Sequence, residues 1–177
     1  MNLIDKLQPF LTDMDDCLEN GQYNAALFIA LALPDICSST DKSRFGTNVG
    51  KRYKKWIDLY FIKQNNYEKN VKMSADDFYS LRCAYLHSGL NKLDRQSVAN
   101  VISKFEFVVS PSQHMSVHKN SIINGNINTL QLDVNSYCNE IKKSVESYVS
   151  ESNGNKTINA AAENILHVKN IDHGFIL

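Results

Sequence analysis

Proline and glycine are scarce in this chain, with three Pro and seven Gly in 177 residues. So little punctuation fits one compact domain over 1–177, carrying at most a decorating insertion. Net charge is missing too, because 19 Lys and Arg balance 19 Asp and Glu. A neutral chain has no global pull towards nucleic acid or an anionic membrane, so any polyanion site must be a local patch. The longest apolar run, Ala25 to Leu33, is far too short to cross a bilayer, so no membrane is expected as a partner. The opening MNLIDKLQPF has no basic region ahead of an apolar run and does not read as a signal peptide. Cys17, Cys37, Cys83 and Cys138 form no CxxC pair and no Cys/His cluster at zinc spacing. They read as small core residues in a reducing cytoplasm, without a disulfide framework or a metal site. No P-loop, GxGxxG or GxSxG occurs, so no cofactor or hydrolase elbow of those kinds is expected.

Helical periodicity is abundant, and an apolar fraction of 43% is enough for a sizeable core. Leu3, Leu7, Phe10, Leu11, Met14 and Leu18 recur at helical spacing, and Gly21 closes the segment. Pro9 is placed to split it into a short turn and a longer helix. Gln22 to about Cys37 is apolar on every side through AALFIALAL, the mark of a central, fully buried helix. Pro34 is expected to kink or end it, and Asp35 follows, reading first as a helix-end or turn carboxylate. Tyr53, Trp56, Ile57, Tyr60 and Phe61 give the stripe of a helix from about Gly50 to Gln64.

Lys51, Arg52, Lys54 and Lys55 flank or oppose that stripe, with Lys42 and Arg44 just before it. This is the one strongly basic stretch, either a solvated helix face or a weak RNA-contacting patch. Ser74 and Asp77 form a capping-box-like start to a helix reaching His87, with Gly89 placed as its C-terminal cap. A further helical stretch is expected within Leu90 to Ile102. KFEFVV alternates like a strand, and Asn124-Gly125 is a strong hairpin signal. A small antiparallel hairpin or meander is therefore expected over about 103–132. Helix returns at Val134, Tyr137, Cys138, Ile141, Val145, Tyr148 and Val149, with a shorter segment around Ile158 to Val168. The fold class is mainly α: a helical bundle with a small β insertion.

One helix carries two anomalies. Phe78, Leu81, Arg82 and Tyr85 fall at i, i+3, i+4 and i+7, so Arg82 occupies a core stripe where Leu would be expected. A guanidinium stays charged, and burying it alone costs several kcal/mol. Arg82 must therefore meet a carboxylate, carbonyls or a phosphate, and Asp35 is the named carboxylate. His87, at the helix end, sits where the helix dipole favours an imidazolium. Five residues turn a helix by about 500°, which sets the two side chains roughly 140° apart. A one-chain site then needs the long Arg arm to curl towards the helix end, while a two-fold dimer could complete one cleft from two copies.

Arg82-Cys83-Ala84-Tyr85-Leu86-His87 has the form R-x4-H. It resembles the signature of the HEPN superfamily, the higher-eukaryote and prokaryote nucleotide-binding domains. ALALPDIC and GKRYKKW are similar to segments of its uncharacterised bacterial branch. The resemblance covers about 1–102 and extends to the helix from 134. It implies a HEPN-like bundle and a metal-independent endoribonuclease acting as a homodimer. It also implies a toxin or phage-defence setting, with a cognate antitoxin or a neighbouring-gene protein as a further partner. Arg82 would hold the scissile phosphate of RNA and His87 would act as general acid or base, with Asp35 in support. Cys83 departs from the polar residue that often follows the arginine, and a thiol is a weak hydrogen-bond partner. The alternative is a non-catalytic HEPN-like module that binds nucleotides or proteins. His114 and His118 would lie about 13 Å apart on a strand, too far to share a metal.

Overall fold

The computed structural model describes residues 2–67, 71, 73–88, 104–110, 117–125 and 127–168. The helical stretch expected within Leu90–Ile102, the cap at Gly89, His114 and the C-terminal tail lie outside the described residues. The helices are α1 (Leu3–Glu19), α2 (Tyr23–Thr40), the single turn α3 (Lys42–Phe45) and α4 (Val49–Trp56). The last of these continues through a π-helical stretch, Ile57–Ile62, into α5 (Lys63–Asn65). Then come α6 (Ala75–Ser88), strands β1 (Lys104–Val108), β2 (Asn120–Asn124) and β3 (Ile127–Asp133), and helices α7 (Val134–Glu151) and α8 (Lys156–Ala162). The chain is mainly helical with a small sheet.

Local chemistry explains the boundaries. Asn2 and Asp5 form a reciprocal capping box at the start of α1. At its end, Gly21 adopts φ 69°. Its N–H donates to Leu18 while that of Gln22 donates to Cys17, the paired bonds of a Schellman motif. Pro9 does not split α1, which runs through it unbroken. Nor does Pro34 end α2: the helix continues to Thr40 with the proline ring buried. One lost backbone bond is outweighed by packing, because α2 touches α1, α4, α6, α7 and α8. Asp35 is thus an in-helix residue rather than a turn residue. The helix is central but not buried on every side, since Phe28 is 45% exposed.

The stripe Tyr53, Trp56, Ile57, Tyr60 and Phe61 is buried as its spacing predicts, and the π-helical stretch adds Ile62. Along α7, Val134, Tyr137, Cys138, Ile141, Val145 and Tyr148 are all buried. Cys37 and Cys138 are core residues, whereas Cys17 and Cys83 are only half-buried. The final segment is shorter than its pattern suggests, because α8 ends at Ala162.

The sheet corrects one expectation. β2 and β3 form the antiparallel hairpin that Asn124-Gly125 announces, and Gly125 takes φ 59° at the turn. β1 is no third strand of a meander: it lies on the other side of β3, parallel to it, with Phe105 opposite Leu130 and Phe107 opposite Leu132. Phe105, Leu130 and Leu132 enter the core, and Asp133 then caps α7 by accepting from the Ser136 N–H.

Candidate functional site

α6 begins with the reciprocal bonds its sequence suggests. Asp77 accepts from the Ser74 backbone N–H at 2.9 Å, and the Ser74 hydroxyl oxygen accepts from that of Asp77 at 3.3 Å. From this fixed start the helix buries Phe78 and Leu81 against the core and brings Arg82 over α2.

Arg82 meets Asp35 as its burial requires. NH2 lies 2.7 Å from Oδ2 of Asp35, and the side chains are only 17% and 13% exposed. The carboxylate lies off the line of the N–H, so the contact is an ion pair rather than an aligned hydrogen bond; Oδ1 and the Arg82 Nε have no hydrogen-bond partner among the described residues. Burial pushes the Asp35 carboxyl above its ordinary 3.8, and Arg82, Arg52 and His87 pull it back without cancelling the rise. For Arg82, burial opposes the charge and Asp35 more than restores it, so the guanidinium is held cationic. The carboxylate carries the cost of desolvation, and the arginine keeps its charge.

The second contact takes the one-chain alternative, in which the long Arg arm curls towards the helix end. Arg82 NH1 lies 3.0 Å from Nε2 of His87 within the same chain. Side chains on a helix lean towards its N-terminus, so His87 tilts back over the turn that the long Arg arm reaches from below. One copy therefore joins guanidinium and imidazole. A guanidinium has no acceptor, so in any hydrogen bond between the two Arg82 is the donor.

Around this Asp35–Arg82–His87 line, the Cys83 sulfur sits 4.0 Å from Arg82 NH1. Tyr53, wholly buried, and Tyr79 pack near it with ring centroids 5.6 Å apart and ring planes tilted by 57°. Burial raises both phenols far from ionisation, with Asp35 and Cys83 adding to the rise and Arg82 opposing it. Gly50 makes room for this packing: a Cβ there would meet the Tyr79 ring at 3.1 Å. Sequence reasoning placed Tyr53 in a core stripe and overlooked its position beside the site. The only signal was its place on the helix face that also carries Gly50.

The basic stretch divides. Arg52 acts on Asp35, while Lys51, Lys54 and Lys55 line a separate cleft of ≈ 570 Å³ with Asn48 and Asp58. Lys54 is tied to Asp76 at 2.6 Å, and Lys55 donates to the Arg44 carbonyl at 3.2 Å. Arg44 itself binds Tyr60 and Glu151. Most of these cations have protein partners, and the three lysines do not share a cleft with Arg82 or His87.

His118, weighed as a metal ligand with His114, instead belongs to a network on α7. Glu140 accepts from Tyr67 at 2.7 Å and from Lys119, with His118 Nε2 3.3 Å away. Among the described residues no group of three or more His, Cys, Asp or Glu side chains is placed to hold a metal ion.

Comparison with family models, with curated proteins and with solved structures finds no match to this chain. Fold and site together define a mainly helical protein with a small mixed sheet and an Arg–Asp–His cluster where α6 crosses α2. Among the described residues no helix is long and apolar enough to cross a membrane.

Proposed function

We propose that the chain is a HEPN-type endoribonuclease that works without a metal ion, in which Arg82 holds the scissile phosphate and His87 transfers the proton. The observation that carries this reading is the 3.0 Å contact between Arg82 NH1 and His87 Nε2. It sets a fixed cation beside a group able to give or take a proton, the two functions needed when a ribose 2′-hydroxyl attacks its adjacent phosphodiester. Asp35 supports the site by fixing the far edge of the guanidinium, leaving NH1 turned towards the exposed His87. Cys83 flanks the arginine without directing it strongly, because a thiol is a weak hydrogen-bond partner. Lys51, Lys54, Lys55 and, more weakly, Arg52 are the cations available to an RNA strand beyond the scissile phosphate.

A homodimer, a cytoplasmic setting, a toxin or phage-defence role and an antitoxin or neighbouring-gene partner follow from the resemblance and belong to the same proposal. The one-chain contact removes the geometric need for a dimer to bring arginine and histidine together. A second reading, the non-catalytic binding module, is favoured by the buried ion pair, since Arg82 already has a structural partner. Incubating the purified protein with RNA in the presence of a chelator separates the two. Cleavage that disappears in His87→Ala supports the nuclease; RNA bound but left intact supports the module.

A further inference from the structure

We infer that the free edge of β2 is a contact surface for a second copy of this chain, paired antiparallel about Ile122, so that two three-stranded sheets become one of six strands. The inference draws on no feature of the Arg82–His87 site. In the sheet order β1-β3-β2, β2 is paired on one side only among the described residues. Asn124 faces Ile127 across a two-residue loop, which makes them a hydrogen-bonded pair. Alternation then turns the backbone groups of Asn120, Ile122 and Asn124 towards β3, and those of Ser121 and Ile123 outward. Two N–H and two C=O groups thus stand along the outer edge with no described strand beside them.

Natural proteins guard such edges with charge, proline or a bulge, and Asn120-Ser121-Ile122-Ile123-Asn124 has none of these. Ile122 is 43% exposed on the sheet face it shares with Thr129, and Ile123 is 75% exposed on the face that carries Leu130. A second β2 fits because the edge is its own complement under a two-fold axis through Ile122. Ser121 then faces Ile123 of the other copy, Ile123 faces its Ser121, and each pair exchanges two backbone bonds. Those four bonds use every outward group of Ser121 and Ile123. The two Ile122 side chains meet at the axis as a non-hydrogen-bonded pair, the closer kind, and the two Ile123 side chains lie diagonally on the opposite face. Charge does not oppose the approach. The strand is neutral, and its neighbour Lys119 is already held by Glu140 and the Asn65 carbonyl. A strand of another protein can use the same backbone groups; the two-fold match of isoleucine to isoleucine selects the chain's own copy. Five residues a side is far below the roughly 20–30 of a standard interface, so the dimer is weak and forms as concentration rises.

Sedimentation of the wild-type chain from about 10 µM to about 1 mM should show a reversible shift from monomer to dimer. Ile123→Lys sets like charges diagonally across the axis and should weaken dimerisation by about tenfold or more, with the circular dichroism of the folded chain unchanged. Ile122→Cys provides a second variant. Its two thiols meet at the axis within disulfide reach, so oxidised glutathione should link two copies, with the cross-link mapped to position 122. Amide hydrogen exchange needs no variant. The N–H groups of Ser121 and Ile123 should gain protection as concentration rises, while that of Ile122, already paired with Thr129, should not change. A chain that stays monomeric at every concentration, leaving the edge to a strand of another protein, would overturn the inference. So would a dimer that folded Ile123→Lys does not weaken, because it lies on another surface. RNA cleavage is scored separately. Pairing through β2 without cleavage sinks only the nuclease reading, and cleavage by a chain that never pairs through β2 sinks only this inference.

Discussion

Arg82 NH2 rests 2.7 Å from Oδ2 of Asp35, joining α6 to the middle of the molecule through two side chains that are both more than four-fifths buried. Removing either charge strands the other in poorly solvated surroundings. Arg82→Ala and Asp35→Ala should each destabilise the protein by about 3 kcal/mol, and the double replacement Arg82→Met with Asp35→Leu should recover most of the loss. Urea unfolding arranged as a double-mutant cycle measures the coupling. Additive single effects would show that the pair contributes nothing.

His87 lies outside this buried pair and is exposed. His87→Ala should leave stability within about 0.5 kcal/mol of wild type while lowering RNA cleavage by about 100-fold or more. Thermal unfolding and a single-turnover cleavage assay, run on the same preparation, test both halves. Retained cleavage in a folded variant would remove His87 from the chemistry.

Acid should loosen the sheet end of the molecule. Burial raises the Glu140 carboxyl, but hydrogen bonds involving His118, Lys119 and Tyr67 outweigh it and leave the group below its ordinary 4.5. A carboxyl depressed on folding stabilises the native state above its unfolded pKa and loses that contribution as pH falls through the folded value. Wild-type stability from this group should therefore begin to decline below 4.5. Glu140→Gln should be less stable near neutrality and show a shallower decline over the same acid range. Denaturant midpoints between about pH 6 and pH 3 provide the test; parallel curves for the two proteins would refute it.

The start of α6 sets the position of the site downstream. Ser74 accepts the Asp77 amide, and Asp77 accepts the Ser74 amide and hydroxyl. Ser74→Ala should cost about 1 kcal/mol, and hydrogen exchange should speed up first at the amides of the opening turn. Unchanged protection there would mean that tertiary packing alone holds the helix start.

Much of the fold was legible in the residues. The stripes through Tyr53–Phe61 and Val134–Tyr148 marked buried helix faces, and Asn124-Gly125 marked the hairpin. The π-helical turn at Ile57–Ile62 was not legible, because its period differs from that of an α-helix by less than one residue per turn. The parallel pairing of β1 was hidden for a different reason. Alternation shows which side chains of KFEFV turn inward, but not which strand they join or in which direction. Asp35 was found as the partner of Arg82 because a buried charge demands one. The link to His87 was left open between one chain and two, because a wheel angle describes where side chains leave the helix, not how far a guanidinium can travel along it.

The two halves of the candidate site are anchored unequally. Arg82 is pinned to α2 from within the core, whereas His87 sits in the last turn of α6, next to its end at Ser88. Local opening of a terminal turn costs far less than global unfolding. One jaw of the site is thus set by the stability of the whole molecule and the other by the fraying of a single helical turn. Conditions that melt that turn would separate imidazole from guanidinium while every core contact stays in place.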